Sequence, residues 1–404
     1  MLNKIKITSF LKVFISVFIL VGCGSNEQEE NIELHPIEDR IPYADHPVQK
    51  HLIEKNITGN SSGMVEIIIS GEYLLSQPTF TQKLDISQSR LMELPFMSDQ
   101  LMLFESVDEN RIIIFDVMRQ VLFEYQIDSD SWLELAGSGP GPGELSFAND
   151  IVFENDTLYV ASQDSRITLF SCNDFPCEYS HVVNLDSNVQ PVSIIANTDR
   201  FIVMGNKVTS RSENTSDINI NSMFEFDRSG SLIHSWGEIY DTKGHWMLLE
   251  PFSRGKTLAR ENSSGLVHFF EYFPFIYHYD EERQLDRIIQ VDDFDMVQQE
   301  YWPKLSRLRV PEGNFSRIEN LVFIDEDYYI LSILHRREFP VRGGEDNFRV
   351  EFIKDFYLNN FTSEDTFYLG SLNNISEENN IHFTNHHIIT KKSDEYHISG
   401  FALN

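Results

Sequence analysis

The chain has 404 residues and carries 63 Asp and Glu against 32 Lys and Arg, a formal net charge of −31 at pH 7. This excess repels nucleic acid phosphates and anionic lipid headgroups, so neither is an expected partner. It favours cations, basic peptides or simply solubility. The length is sufficient for a substantial hydrophobic core.

Residues 1–22 are predicted to be a secretory signal. Three lysines and no acid precede a short apolar run that stops at "LVGC", the pattern of a signal peptide rather than a structural helix. The "LVGC" motif resembles the lipobox of bacterial lipoproteins. The resemblance implies cleavage before Cys23 and attachment of lipid to its thiol, with an ordinary secreted protein as the alternative. Buried acyl chains contribute ~0.8 kcal/mol per methylene, so we expect membrane contact through the lipid alone.

Residues 23–60 are acidic, contain several prolines and are poor in apolar residues. This composition predicts a disordered tether between the lipid and the folded domain. The acidic run after Cys23 also resembles the export signals that send some Gram-negative lipoproteins to the cell surface, although a merely solvated tether has the same composition. We therefore expect a cell-envelope protein that is lipid-anchored to the outer membrane and is either periplasmic or surface-exposed.

Six repeat units follow from residue 64 onward. Each has an apolar run, a polar turn, a second run rich in Ile, Val, Tyr and Phe, and a third run that often ends in an acidic or asparagine-rich turn. The second runs begin at Ile112, Leu158, Phe201, Leu266, Tyr328 and His386. The third runs begin at Val121, Ile167, Met223, Ile276, Asp355 and Tyr396. The shorter intervals fit four-stranded propeller blades, and the longer ones indicate insertions, such as those from Lys207 and Glu338.

The repeat predicts an all-β fold over residues 61–404, a six-bladed β-propeller of four-stranded antiparallel blades. Outer fourth strands are predicted from Trp132, His181, Leu232 and Leu285. The last unit has no such run, and an unpaired blade edge favours aggregation. We therefore expect the N-terminal strand "MVEIIIS", which begins at Met64, to close the ring. An open β-sandwich is the alternative, and it leaves the sixfold repeat unexplained.

The stretch "GSGPGPGE", residues 137–144, invites interpretation as a phosphate-binding loop. Its two prolines offer no N–H group, Glu144 stands where a cation is needed, and a strand follows instead of a helix. The stretch is better explained as a sharp turn between the outer strand of one blade and the inner strand of the next.

This turn and the strands "IVF", "LYVA" and "RITLF" after it resemble NHL-type repeats and the related six-bladed propeller lipoproteins of the TolB-like superfamily. The segment "FEFDRSGSLIHSWGE" matches the end of the same pattern. The resemblance implies a non-catalytic binding or scaffolding module that takes an unknown protein, peptide or glycan on one rim. We expect a monomer without a cofactor; calcium bound by acidic turns is the alternative.

The cysteine pattern predicts a disulfide. Cys23 is assigned to the lipid, so Cys172 and Cys177 are the remaining pair in an oxidising compartment, and they are close enough to close a short loop. A zinc site would need two further ligands, and none is visible nearby.

No established catalytic motif occurs in the chain. His268, His278, His382 and His397 are candidates to converge near the ring axis, and separate half-buried histidines are the alternative. Such convergence would indicate a competing function, a hydrolase or lyase with a cation-assisted site in the central channel. His386 and His387 are adjacent and therefore point to opposite faces of a strand.

Two further features have a possible ligand role. The acid clusters 292–295 and 325–327 fall in predicted turns, where they serve either weak calcium binding or solvation. The aromatic run from His268 to Asp280 is either a sugar-stacking or peptide-binding platform or part of the packing between blades, which the alternation of aromatics favours.

Overall fold

Six four-stranded antiparallel blades form a ring in the computed structural model. It describes residues 52–55, 82–94, 102–186, 189–197, 199–207, 221–238, 254–259, 265–291, 294–295, 297, 313–340, 348–362, 365–373, 379–392 and 395–403, all within one compact unit. Three N-terminal strands precede the blades: β1 (Leu52–Lys55), β2 (Leu84–Ile86) and β3 (Arg90–Met92). No helix in the described part of the chain is long and apolar enough to cross a membrane.

The strands of each blade follow one another in the sequence, from the inner to the outer edge. Blade 1 comprises β4 (Met102–Ser106), β5 (Arg111–Asp116), β6 (Val121–Gln126) and β7 (Ser131–Ala136); blade 2 comprises β8 (Ala148–Glu154), β9 (Thr157–Ser162), β10 (Arg166–Ser171) and β11 (Glu178–Asn184). Blade 3 comprises β12 (Val189–Ala196), β13 (Arg200–Lys207), β14 (Asn221–Asp227) and β15 (Leu232–Glu238); blade 4 comprises β16 (Gly255–Ala259), β17 (Leu266–Phe270), β18 (Phe275–Tyr279) and β19 (Leu285–Val291). Blade 5 comprises β20 (Phe315–Phe323), β21 (Tyr328–Pro340), β22 (Phe348–Asn360) and β23 (Thr366–Asn373), and blade 6 contains β24 (Asn379–Phe383), β25 (His387–Lys392) and β26 (Glu395–Leu403).

The predicted repeat is confirmed. Every predicted second run corresponds to the second strand of a blade, and every predicted third run to the third strand. In blades 1 to 5 a β-bulge shifts the register between the third and fourth strands. A bulge at this place increases the local twist of the blade, and its repetition shows that the blades share one design.

Apolar side chains from neighbouring blades form the core. One cluster joins Phe115 of blade 1 to Phe170 of blade 2, and another joins Ile389 of blade 6 to Ile114 of blade 1. The second cluster connects the last blade with the first, so the ring is closed by side-chain packing as well as by strand pairing. Burial of this kind contributes roughly 25 cal/mol per Å² of apolar surface.

N-terminal strands close blade 6, as predicted, and the described residues that do so are β2 and β3. The outer edge of β26 pairs with β2 at one end and with β3 at the other, both antiparallel. These two short strands occupy the edge that would otherwise be free. The segment that begins at Met64 lies outside the described residues.

The predicted tether, residues 23–60, includes a strand. Residues 52–55 form β1, which pairs in parallel with β19, the outer strand of blade 4. An outer strand presents unpaired N–H and C=O groups, and an extended neighbouring segment satisfies them. The expectation of disorder therefore does not hold for these four residues.

The glycine-proline stretch forms the expected turn between β7 and β8. Its backbone is closed by hydrogen bonds from Gly139 N–H to Leu145 O, 2.8 Å, and from Leu145 N–H to Gly137 O, 2.8 Å. Glu144 accepts the N–H of Gly141 at 2.7 Å, so its carboxylate stabilises the turn. The turn is therefore rigid and internally bonded rather than a flexible linker.

Candidate functional site in the central channel

The inner strands of the blades carry polar residues at equivalent positions along their length. In each blade, the residue three positions after the first buried apolar residue of the second strand pairs with one residue of the inner strand, and we call this pair a rung. The inner-strand residues on these rungs are Leu103, Asp150, Ser193, Lys256, Asn320 and Asn380. Five of the six blades thus contribute a polar side chain at the same level. We call these five residues, together with Glu319 beside Asn320, the polar belt.

Three of the inner strands bulge next to this belt. The register of β8 shifts between Ala148 and Asp150, that of β12 between Pro191 and Ser193, and that of β20 between Ile318 and Asn320. Bulges re-aim side chains and are over-represented beside functional sites. The bulge in β20 is what adds Glu319 to the belt.

Asp150 is the centre of one half of the belt. Its Oδ2 accepts hydrogen bonds from Ser193 Oγ at 2.8 Å and from the N–H of Ile194 at 3.0 Å, which join blade 2 to blade 3. Its Oδ1 lies 4.0 Å from Lys256 Nζ on blade 4. Blade 3 separates blades 2 and 4, so the lysine reaches Asp150 along the inner side of the ring.

Glu105, on the inner strand of blade 1, shares the electrostatic field of this group. Burial raises the pKa of its carboxyl to about 7, against the opposing effect of Lys256, while Asp150 raises it further. The N–H of Phe153 is directed at its Oε1 from 3.4 Å. A carboxyl with such a pKa is able to take up or release a proton at neutral pH.

The other half of the belt is an ion-pair network of blade 5 that is hydrogen-bonded to blade 6. Lys354 Nζ lies 2.5 Å from Glu319 Oε2 and donates to Asn380 Oδ1 and to Ile381 O at 3.0 Å each. Arg317 Nη2 donates to Glu319 Oε1 at 2.9 Å. Burial alone would raise the pKa of Glu319, but Lys354 and Arg317 lower it to about 2. All these groups are engaged with one another, so this half of the belt stabilises the seam between the blades.

A row of polar side chains in contact with one another crosses blade 5 from the inner to the outer strand. Ser316 Oγ lies 2.8 Å from His335 Nδ1, and His335 Nε2 lies 3.3 Å from Asp355 Oδ2. Asp355 then accepts a hydrogen bond from Ser371, which also contacts the hydroxyl of Tyr368.

The row contains the residue types of a Ser-His-Asp triad, yet Ser316 is fully buried and its Oγ accepts the N–H of Asp295 at 2.9 Å. It therefore serves as a polar core for the blade. The sequence gives no sign of this row, because its members become neighbours only through strand register.

The four candidate histidines do not converge. His268 is buried in β17 with Nδ1 3.2 Å from Thr257 Oγ1, and His278 is buried in β18 and stacked on Phe361. His382 lies on the inner strand of blade 6, and burial together with Lys354 lowers its pKa to about 3. His397 lies in β26 with Nε2 3.6 Å from Glu395. Within the described residues, no group of three or more His, Cys, Asp or Glu is able to hold a metal ion.

The other sequence candidates are structural where they are described. Asp325 Oδ1 accepts the N–H groups of Asp327 at 2.8 Å and Tyr328 at 2.7 Å, and so shapes the turn between β20 and β21. Asp292 and Asp293 lie outside the described residues. The aromatic run contributes β17 and β18, whose side chains are nearly all buried, so it packs between blades and offers no platform for a ligand.

Cys172 and Cys177 form a disulfide at the tip of the hairpin between β10 and β11. Both ends of this loop bind blade 1: the N–H of Cys177 donates to Glu124 Oε2 at 2.6 Å, and Arg111 Nη2 donates to Cys172 O at 3.0 Å. The loop thus joins two blades. Cys23 lies outside the described residues, and lipid attachment there stays a prediction.

Comparison with known proteins supports the fold, and it shows no activity. No family model matches the chain, and no curated protein matches its sequence. A protein of Bacteroides fragilis that is named as exported superposes with a TM-score of 0.51 at 9% identity, over 88% of this chain and 99% of that protein. A duf4221 family member from Bacteroides vulgatus gives a TM-score of 0.46 at 10% identity, over 80% and 99%. Streptogramin B lyase gives 0.41 at 8% identity, over 80% and 98%. The first likeness shows a shared fold; at their scores the other two carry no argument.

Proposed function

We propose that this chain is a lipid-anchored β-propeller of the cell envelope that binds a protein partner on one face as a non-catalytic module. The resemblance of residues 137–170 to NHL-like repeats implies a module of this kind. The single observation that carries the proposal is a projecting hairpin of blade 5, whose two strands expose large apolar side chains where they extend beyond the blade.

This hairpin is formed by β21 and β22, each of 13 residues. β20 pairs with β21 only as far as Arg336, and β23 pairs with β22 only from Ile353 onward. Residues 337–340 and 348–352 therefore form a two-stranded arm beyond the blade. Phe339, Phe348 and Val350 on this arm are exposed. A two-stranded hairpin is at best marginally stable alone in water, and exposed apolar side chains of this size favour a partner surface.

The arm belongs to the face of the ring that carries the long connections. Because the strands of each blade alternate in direction, all second-to-third connections and all blade-to-blade connections lie on one face. The segments 208–220, 239–254 and 292–314 leave from this face, whereas the longest connections of the opposite face are 172–177 and 260–265. We call the former the long-connection face. Both insertions predicted from the sequence belong to it.

Shortening the arm tests the proposal. Arg337 and Glu351 are paired in register, so residues 338–350 are replaceable by Asn-Gly, which favours a two-residue hairpin turn. We expect unchanged circular dichroism and thermal midpoint, with loss of the partner captured by crosslinking in intact cells. The double substitution F339S/F348S keeps the arm and is expected to lose the partner as well. Undiminished capture by both variants would refute docking on the arm.

The membrane location has its own test. The substitution C23S removes the thiol to which the lipid would be attached, and we expect it to move the protein from the membrane fraction to the soluble fraction. Incorporation of a labelled fatty acid into the wild type but not into C23S is the matching positive result. Continued membrane association of C23S would contradict the anchor and leave the docking proposal intact.

A second candidate function, a hydrolase or lyase acting in the channel, is favoured by one observation. Glu105 has a pKa near neutrality and lies within the field of Lys256 and Asp150, so the channel holds a proton donor or acceptor beside a fixed cation. Turnover of an ester, lactone or glycoside that disappears in E105Q supports this candidate. Turnover that is equal in E105Q, or no turnover at all, argues against it.

A further inference from the structure

Phe147 combines strong exposure with an unfavourable backbone conformation. Its side chain is 68% exposed, and its φ of 52° lies in the left-handed region. Asn, Asp and Gly tolerate this region, whereas for a bulky residue it marks strain. Strained residues cluster at ligand clamps and other functional sites. Nothing in the core offsets the strain, because most of the ring lies outside the packed structure.

The backbone around Phe147 is held from both sides. The N–H of Gln163, in the turn between β9 and β10, donates to Phe147 O at 3.0 Å. Gln120, in the turn between β5 and β6, donates from Nε2 to Ala148 O at 3.0 Å and accepts the N–H of Ala148 at Oε1, 2.5 Å. These clamps fix the direction in which the phenyl ring leaves the protein.

Met118 provides a second apolar side chain from the same turn as Gln120. It is 54% exposed, and Asp116 Oδ1 fixes its turn by accepting the N–H groups of Met118 at 3.1 Å and Arg119 at 2.9 Å. Both turns and the segment with Phe147 belong to the long-connection face. This face therefore presents a strained phenylalanine and a methionine from turns joined through Gln120.

We infer that Phe147, together with Met118, is an anchor that inserts into an apolar pocket of a protein partner. The inference rests on the proposed function and names its contact residues. A protein fits better than a glycan, because sugar recognition needs free hydrogen-bonding groups around the aromatic ring, and here Gln120 and the backbone beside it are already engaged. Aromatic residues and Met are enriched at protein interfaces. The net charge of −31 favours encounter with a partner that carries Lys and Arg around that pocket.

The test places a photoreactive benzoylphenylalanine at position 147 or 118 in the full-length protein in intact cells. The control position is Leu133, an exposed residue of the outer strand β7. We expect one adduct with a basic protein from positions 147 and 118 and none from 133. That protein, identified and purified, should bind F147N at least about tenfold more weakly than wild type, the loss expected for an interface hot spot. L133N should bind as wild type does.

Stability separates an anchor from a structural residue. Because Asn tolerates the left-handed region, F147N should have a thermal midpoint at or above that of wild type. A lower midpoint, an adduct of equal yield from Leu133, an adduct between two copies of this chain or an adduct removed by glycosidases would each overturn the inference. If positions 147 and 118 give no crosslink while the intact arm still captures a partner, the anchor alone is refuted. If neither these positions nor the intact arm captures a partner, the proposed function is refuted.

Discussion

The substitution G143A tests why the turn between blades 1 and 2 needs a glycine at that position. Gly143 has a φ of 76°, and a β-carbon added there would meet the ring of Tyr179, with Cγ at 3.1 Å and Cδ2 at 3.2 Å. The Tyr179 side chain is 41% exposed and packs edge-on against the buried Phe170 with centroids 6.2 Å apart, so its ring can move away only by weakening this contact. Two independent costs therefore add, one from the backbone and one from crowding.

A left-handed alanine costs about 1–2 kcal/mol, and displacing the tyrosine ring by a few tenths of an ångström adds about 1 kcal/mol. The smaller conformational freedom of alanine in the unfolded chain returns about 0.5–1 kcal/mol. We expect G143A to lower the free energy of unfolding by about 1–2.5 kcal/mol. Urea unfolding followed by circular dichroism measures this loss as a lower midpoint at unchanged slope.

G137A is the matched control in the same turn. A β-carbon at Gly137 would meet only Glu134 Oε1, at 3.4 Å, and its φ is not in the left-handed region. We expect no loss of stability, or a gain of about 0.5 kcal/mol from the unfolded chain. Equal losses in G137A and G143A, or no loss in G143A, would refute the explanation from backbone conformation and from Tyr179.

Three further substitutions probe the channel and the hydrogen bonds of Gln120 beside Phe147. Because the folded-state pKa of Glu105 is raised from 4.5 to about 7, wild-type stability should fall as pH rises from 4.5 to 7, by at most about 3 kcal/mol; E105Q should lack this slope in urea unfolding at pH 5 and pH 8. K354M leaves Glu319 buried beside Arg317 only and should cost about 3 kcal/mol in the same assay, part of which the double variant K354M/E319Q recovers. Q120A removes both side-chain bonds to Ala148 and should cost about 2 kcal/mol; a loss below about 0.5 kcal/mol would show that the clamp contributes little.

The blades were predictable because their information is local. Each second strand is a short run of Ile, Val, Phe or Tyr bounded by polar turns, and this texture is repeated six times. The turn at residues 137–144 was equally readable, since two prolines and Glu144 exclude a phosphate loop on chemical grounds. Such features depend on residues a few positions apart, and no tertiary pairing has to be known.

The closing strands were not predictable for the opposite reason. β2 and β3 have only three residues each, and "LDI" and "RLM" carry no distinct strand pattern. The run from Met64 is longer and more apolar, so local propensity favours it. β2 and β3 are strands because they pair with the edge of β26, and this pairing is a tertiary property.

The polar belt is hidden in the sequence by register. Asp150 and Lys256 belong to blades 2 and 4, and they meet only because both inner strands line the ring. Glu319 joins the belt through a bulge, which breaks the alternation by which strand faces are read from a sequence. The four histidines, by contrast, were candidates for a channel site by residue type alone, and their strands place them in separate environments.

The connection between β7 and β8 holds two residues in the left-handed region, and the contrast between them argues for function. At Gly143 the glycine is required by the turn and by the tyrosine ring above it, so packing explains the residue. At Phe147 the same backbone region carries a phenylalanine, although an asparagine or glycine would relieve the strain and the exposed ring contributes little packing. Stability alone would select against the residue found there. A contact made outside this chain is the explanation that accounts for both the strain and the exposure.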